Sequence, residues 1–402
     1  IQHLGVKMYS TMPPALAELI ANAYDACATE VNIRLYDAIE KKVVVEDNGV
    51  GMSFEQVNDY FLKIGRNRRA ENQQSQCGRI PTGKKGLGKL ALFGIGDTIN
   101  ITTYQEKEGV AFNLNWDEIL NTKGTYEPKF ERSNNEENRK GTTITLTNLK
   151  RKTGFPVNDY AESIAKLFNF QDQFIVYLSL NDGEAIKIDN KLKYQNIISE
   201  FEWNVQDVIK ANDKQYSKKD NIQGTIVTTE KPLKANLRGV TLFANGRMVN
   251  YPEFFSPSES SHFYSYTTGW LNVDFIDKWE EDVISTNRQS IDWENPKTAE
   301  LREYLASCLA IIERQWRDKR KNKKKEKISK TVNLDVKSWL GKLPTENNLQ
   351  TNVETIVNLL DDTPELSEDT QQKVTQLLHQ IAPEYANLHW RNLENDIRSV
   401  SE

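Results

Sequence analysis

Residues 14–52 constrain the fold of this chain more tightly than any other stretch. The first part, "PALAELIANAYDACA", spaces apolar residues at positions 16, 19, 20 and 23 and follows Pro13, which predicts a helix. "VNIRLYD" and "KKVVVEDNGVGM" then predict two strands joined by a short turn, and the second strand ends in a glycine corner. A helix opposite such a strand pair indicates an α+β fold.

Polar residues on this helix and at the end of the second strand indicate a single pocket. Glu18, Asn22 and Asp25 stand at i, i+4 and i+7, so their side chains project from one helical face. Asp47 offers two acceptor oxygens, which suit the exocyclic amino group of adenine. We interpret Asp25 as structural support and the other three as a nucleotide site.

The glycine corner completes this pocket. Gly49 and Gly51 remove side chains where a flat ring would lie against the backbone, and Met52 supplies a soft apolar contact. Ser53 followed by Gln56 predicts a capping box at the start of another helix.

A second glycine-rich stretch, "TGKKGLGKLALFGIGD", spells the GxxxxGK of a P-loop from Gly83 to Lys89. Leu90 stands where a P-loop has Ser or Thr, and the preceding "AENQQSQCGR" is too polar to be the buried strand from which a P-loop leaves. We therefore reject the P-loop and predict that residues 66–82 form a polar, mobile cover.

Four motifs together, "ELIANAYDA", "DNGVGM", "TGKKGLGKLALFGIGD" and "GTTITL", resemble the GHKL superfamily of ATPases, which comprises gyrase, the ninety-kilodalton heat-shock chaperone, histidine kinases and MutL. The resemblance covers residues 1–150 and implies a Bergerat-type ATP-binding α/β sandwich. It implies that Glu18 is the general base that activates water and that Asn22 binds Mg²⁺. Asp47 would read the adenine amino group, helped through water by Thr142. The residues implied to wrap the phosphates at a helix N-terminus are Gly86, Leu87, Gly88 and Lys89.

The chain beyond Lys150 resembles the transducer domain of the gyrase, MutL and chaperone branch, a ribosomal-protein-like α/β fold. We expect its helix "DYAESIAKLFN" and strands "FIVYLSL", "GTIVTTE", "GVTLFANGRMVN" and "TTGWLNVDFI" to form a separate layer. Arg288 is the one basic residue in "DVISTNRQSIDW", and the resemblance implies that it reaches the γ-phosphate. An ordinary surface arginine is the alternative. Among subfamilies, the chain most resembles MORC-type and prokaryotic Hsp90-like ATPases.

With 402 residues the chain is long enough for two or three domains, which we place at 1–150, 151–295 and 296–402. The last begins with a predicted helix from Pro296. The net charge of -5 hides a basic stretch at 317–330, because ten Lys or Arg oppose three acids from Glu313 to Lys330. This stretch fits either a solvated helix face or a contact with DNA phosphates.

Several protein classes are excluded by composition. No run of about 18 apolar residues exists, so we expect no membrane span and a cytoplasmic protein, or a nuclear one in a eukaryote. Cys27, Cys77 and Cys308 lie far apart, and the four histidines form no metal-spaced cluster. We therefore expect a reducing interior with neither a disulfide framework nor a zinc site.

The resemblance favours an ATP-hydrolysing clamp that forms a homodimer on ATP and acts on DNA, on an effector protein or on a further carboxy-terminal domain. A nonhydrolytic scaffold switched by ATP and a chaperone-like remodeller of client proteins are the alternatives. A histidine kinase is disfavoured, because such kinases usually lack a carboxylate four positions before the asparagine. In addition, only His3 precedes Glu18.

Overall fold

A computed structural model describes residues 11–62, 77–81, 92–122, 126–195, 197–256, 259–332, 336–343, 349–362, 370 and 373–380. The chain divides into two compact units, Ile1–Cys308 and Leu309–Glu402. The first unit contains two sheets, and the second contains helices.

The first sheet has eight strands in the order β5-β4-β3-β6-β2-β1-β7-β8. These strands are β1 (Glu30–Tyr36), β2 (Lys42–Asp47), β3 (Gly96–Gln105), β4 (Glu108–Asn115), β5 (Phe130–Asn134), β6 (Gly141–Leu149), β7 (Ile175–Leu180) and β8 (Ile186–Ile188). The accompanying helices are α1 (Met12–Asp25), α2 (Phe54–Gln56, continued by a π-helical turn at Val57–Phe61), α3 (Trp116–Asn121) and α4 (Val157–Leu167). Neighbouring strands are antiparallel except β1 and β7, so the sheet is mixed. The predicted α+β class is confirmed.

Helix α1 forms as its apolar spacing predicts. Leu16, Leu19, Ile20 and Ala23 are buried on the face that packs into the core of the first sheet. Prolines occupy the first turn, where a missing N–H costs nothing because the first helical N–H groups have no intrahelical partner. The predicted capping box is also present at the start of α2.

The assignment of "FIVYLSL" to a separate second layer is wrong. This strand is β7, and it pairs in parallel with β1 inside the first sheet. Helix α4, which precedes β7, packs against α1. An apolar run of this kind suits a strand that is paired on both sides, whichever sheet it joins, so local pattern could not place it. The first sheet therefore extends to Ile188, and the division into three domains stays a prediction.

The second sheet has the order β12-β11-β13-β10-β9. Its elements are β9 (Ser199–Asn204), α5 (Val205–Lys210), β10 (Gln223–Thr229), β11 (Gly239–Ala244), β12 (Arg247–Met248), α6 (Phe263–Tyr266) and β13 (Thr267–Asn272). "GVTLFANGRMVN" is two strands and not one, because Asn245 and Gly246 adopt φ of 51° and 75° and reverse the chain. Asn-Gly with both φ positive is a favoured two-residue hairpin turn.

The described residues of the last part of the chain are mainly helical, as predicted. Helix α7 (Pro296–Val332) starts where the sequence indicates and is followed by α8 (Val336–Lys342) and α9 (Leu349–Asp362). Trp339, Leu340 and Val357 contribute to a small apolar core in the second unit. Among the described residues, no helix is both long and apolar enough to cross a membrane.

Candidate nucleotide-binding site

Strand register brings three predicted site residues together. Asp47 on β2 lies opposite Thr142 on β6, and Thr142 lies opposite Thr103 on β3. The Thr103 and Thr142 hydroxyl oxygens are 3.0 Å apart, and the Met52 N–H donates to Thr103 Oγ1 at 2.9 Å. Asp47, Met52 and Thr142 thus converge at the end of β2, and Thr103 is an anchor that the sequence analysis did not find.

Burial raises the pKa of Asp47 to about 6. The backbone N–H groups of Gly49 and Thr142 favour the charged form and partly offset this rise. The Gly49 N–H donates to Asp47 Oδ1 at 2.8 Å. The result is a fixed, poorly hydrated carboxyl group with acceptor capacity, which suits recognition of an amino group.

The glycines of this region allow backbones to touch. Gly51 has φ 68°, and a Cβ there would lie 1.9 Å from the Tyr104 carbonyl oxygen. Gly141 has φ 102°, and its Cβ would lie 1.9 Å from the Asp47 carbonyl oxygen. The glycine corner therefore packs directly on β3 and β6. This close packing explains why Gly51 lacks a side chain. Contact of Gly49 and Gly51 with an adenine ring stays a prediction.

The same corner lies against the carboxyl end of α1. The Val50 N–H donates to the Ala26 carbonyl at 2.9 Å, and the Ala26 N–H donates to the Asn22 carbonyl at 2.9 Å. Asn22 is therefore one helical turn from the corner, and Glu18 is one turn further along the same face. Asn22 is half-buried, and the Glu18 side chain is nearly buried. This arrangement fits the predicted pocket shared by α1 and the end of β2.

Glu18 is paired with a basic residue that the sequence analysis missed. Arg247 is the first residue of β12, and its Nη2 donates a hydrogen bond to Glu18 Oε1 in an ion pair. The Arg247 side chain is 8% exposed and the Glu18 side chain is 12% exposed. The two residues are 229 positions apart. The available signal was the Asn-Gly turn directly before Arg247, which predicts a hairpin tip but not what the tip touches.

Two further predicted parts of the site are Arg288 and the phosphate loop. Arg288 is buried in a loop with φ 55°, where its N–H donates to the Ser285 carbonyl at 2.8 Å. Its contact with the γ-phosphate stays a prediction. The proposed phosphate loop, Gly86, Leu87, Gly88 and Lys89, lies outside the described residues.

The expected absence of a disulfide is wrong. Cys27 and Cys77 form one, with Cα atoms 5.9 Å apart, whereas Cys308 is buried as a free thiol. Arg79 donates to the carbonyls of Tyr24 and Ala28 at the end of α1. Residues 66–76 and 82 of the predicted cover lie outside the described residues, and the cover stays a prediction. Fifty residues separate the two cysteines, and their spacing carries no local signal of pairing.

Comparison with known proteins supports the class that the fold and site define. Residues 9–143 match the family model described as histidine kinase-, DNA gyrase B- and HSP90-like ATPase. The resemblance to the GHKL superfamily is thereby confirmed for this part of the chain, which is a GHKL-type ATPase domain built as an ATP-binding α/β sandwich.

Three curated proteins are similar over longer or shorter stretches. The "Putative type II restriction enzyme HgiDII" of Herpetosiphon aurantiacus is 28% identical over 360 residues, which cover 82% of this chain and 57% of the relative. Chaperone protein HtpG of Nitrobacter winogradskyi is 26% identical over 39% of this chain and 27% of its own length. Chaperone protein HtpG of Aromatoleum aromaticum is 27% identical over 36% of this chain and 26% of its own length. The chain thus spans about half of the first relative and about a quarter of the chaperones.

Proposed function

We propose that this protein is an ATP-hydrolysing clamp whose two copies close on ATP. The observation that carries the proposal is the convergence of the Asp47–Thr142 pair with the face of α1 that bears Glu18 and Asn22. In this arrangement Asp47 lies near one end of α1, where it would bind the adenine base. Glu18 lies about two helical turns away, where the phosphates of the same nucleotide would be. The GHKL-type domain supports ATP as the ligand.

Each residue has a defined task in this proposal. Asp47 accepts a hydrogen bond from the adenine amino group, and Thr142 supports it through water. Glu18 takes a proton from the attacking water, a step for which general bases provide rate factors of about 10²–10⁴. Gly86 to Lys89 wrap the phosphates, and Arg288 stabilises charge on the γ-phosphoryl group.

The donor set of α1 fits Mg²⁺. This ion prefers oxygen ligands and takes one or two from the protein while keeping phosphate oxygens and water. Asn22 offers an amide oxygen on the face that Glu18 shares. When bound, Mg²⁺ would neutralise charge on the phosphates.

Dimerisation is tested by light scattering coupled to size exclusion. We expect wild type to double its mass with a nonhydrolysable ATP analogue, and Asp47→Asn to remain monomeric because its carboxamide presents an N–H₂ group to the adenine. Asp37→Asn is the matched control, since Asp37 lies in the turn after β1, away from the pocket. A mass that nucleotide does not change would contradict the clamp.

DNA is the partner that we propose. The similarity to a protein named as a restriction enzyme and the basic stretch on α7 favour it. Part of this basic charge is already engaged within the second unit, since Lys321 lies 2.6 Å from Glu354 and Arg320 stacks on Trp316. Duplex DNA added to the scattering experiment at two salt concentrations should bind, and binding should weaken steeply with salt. Binding that salt does not affect would contradict a phosphate contact.

A nonhydrolytic scaffold and a chaperone-like remodeller are the remaining candidates. The similarity to HtpG, which covers 39% of this chain, favours the chaperone-like remodeller. ATP turnover stimulated by DNA but not by unfolded client protein would separate the clamp from the remodeller.

The raised pKa of Asp47 predicts a pH dependence of ATP binding. A group with a pKa of about 6 is about nine-tenths ionised at pH 7 and about one-tenth ionised at pH 5. Because the ionised form is the acceptor, affinity should be nearly full at pH 7, about half of that at pH 6 and about tenfold lower at pH 5 than at pH 7. Calorimetric titration of wild type and Asp47→Asn over this range measures it, and the variant corrects for titration of the nucleotide. Equal pH slopes in the two proteins would refute the assignment.

A further inference from the structure

We infer that Arg247 is a positioning residue that holds the Glu18 carboxylate in its working orientation. The inference rests on the proposed function, in which Glu18 is the general base. Arg247 belongs to the second sheet and Glu18 to the helix that covers the first. The orientation of the base is therefore set by a part of the chain outside the matched ATPase segment, residues 9–143.

The turn that carries Arg247 is held by its backbone on the side of the first sheet. The Asn169 N–H donates to the Gly246 carbonyl at 2.7 Å, and Phe168 forms an antiparallel bridge with Arg247 itself. Both contacts use main-chain atoms. They place the start of β12 against the chain segment that follows α4.

The other side of the turn is held by two aspartates. The Asn245 N–H donates to Asp274 Oδ1 at 2.8 Å, and Asn245 Nδ2 donates to Asp277 Oδ2 at 2.8 Å. The backbone at Arg247 is thus fixed from two directions without help from its own side chain. A change of that side chain should therefore leave the turn in place while removing the guanidinium from Glu18.

The ion pair restricts a side chain that would otherwise be mobile. A glutamate on a helix face has several rotamers, and a guanidinium fork selects the one that meets its N–H groups. Because the pair is nearly buried, water screens it little. A general base must lie within hydrogen-bond reach of its water, and a misplacement of about 1 Å costs on the order of a hundredfold in rate.

The arrangement also gives the second sheet a way to control hydrolysis. If the hairpin tip moves relative to α1, the guanidinium moves with it and Glu18 loses its fixed orientation. Coupling of this kind needs no contact between Arg247 and the nucleotide. It distinguishes Arg247 from Arg288, for which direct contact with the γ-phosphate is proposed.

The test compares Arg247→Met, which removes the charge at similar length, with Arg247→Lys, which keeps the charge but loses the fork. We expect kcat for ATP hydrolysis to fall ten- to a hundredfold in Arg247→Met and less in Arg247→Lys, while Kd for ATP and for ADP stays within twofold. Arg238→Met is the matched control, because Arg238 also lies beside the second sheet but donates to the Leu233 carbonyl. Its kcat should equal that of wild type.

Two results would overturn the inference. One is an unchanged kcat in both Arg247 variants; the other is a selective loss of ATP over ADP affinity, which would make Arg247 a phosphate ligand. If Arg247→Met fails to fold by circular dichroism, Arg247→Lys carries the test alone. Glu18→Gln assayed in parallel separates failure of the proposed general base from failure of the proposed positioning role. Turnover that survives in Glu18→Gln removes the proposed base, whereas turnover lost there but kept in the Arg247 variants removes only the positioning.

Discussion

Glu18→Ala and Glu18→Gln should abolish ATP hydrolysis while ATP still binds. A general base contributes about 10²–10⁴-fold, so turnover should fall by at least two orders of magnitude. Affinity should change little, because the proposed adenine contacts lie at Asp47, two helical turns away. Phosphate release measures the first quantity, and calorimetric titration measures the second.

The two Glu18 variants differ in what they do to Arg247. Alanine leaves a buried guanidinium without this carboxylate, and breaking a buried pair costs about 3–5 kcal/mol. Glutamine keeps an oxygen that can accept from Arg247, so Glu18→Gln should fold with nearly wild-type stability and still fail to hydrolyse ATP. Glu46→Ala, which breaks the more exposed pair with Arg34 on β1 and β2, should hydrolyse normally. Turnover near wild type in Glu18→Gln would contradict the proposal.

The second large effect is expected at Gly51. In Gly51→Ala the new Cβ would meet the Tyr104 carbonyl oxygen at 1.9 Å, and the residue would keep a left-handed φ of 68°. Left-handed backbone costs an L-residue about 1–2 kcal/mol, and overpacking adds about 1–3 kcal/mol. The free energy of unfolding should therefore fall by about 2–5 kcal/mol, and ATP binding should be lost because the corner must move away from β3.

Gly78→Ala is the matched control for this prediction. Gly78 has φ 75° but no heavy atom within 4 Å of a built Cβ, so only the backbone cost applies. Urea unfolding followed by circular dichroism should show a loss of about 1–2 kcal/mol there. Equal losses in the two variants would show that the contact with Tyr104 has no energetic weight.

Local patterns predicted much of the first sheet. The apolar spacing of α1, the alternation in β1 and β2 and the capping box at Ser53 each depend on residues a few positions apart. Hydrophobic periodicity and hydrogen bonds within one turn decide such features. They can therefore be predicted from the sequence without knowing which distant residues they contact. The motif combination also indicated the GHKL class, which the family match confirms.

Other features depended on partners distant in the chain. "FIVYLSL" is a strand by composition, but only pairing with β1 shows that it belongs to the first sheet. The Asn-Gly turn before Arg247 can be predicted from the sequence. No local pattern predicts that Arg247 contacts Glu18, which lies 229 residues earlier. The same holds for Cys27 and Cys77, which the chain brings together across 50 residues.

The sequence by itself determined most of the helices and strands of the first sheet and the GHKL class, and it suggested the residues of a nucleotide pocket. The tertiary structure alone decided which arginine meets Glu18, why Gly51 must lack a side chain and where the first sheet ends. The physical reason is the range of the interactions. Periodicity, caps and turns act within a few residues, whereas ion pairs, disulfides and strand neighbours form only after the chain has folded back on itself.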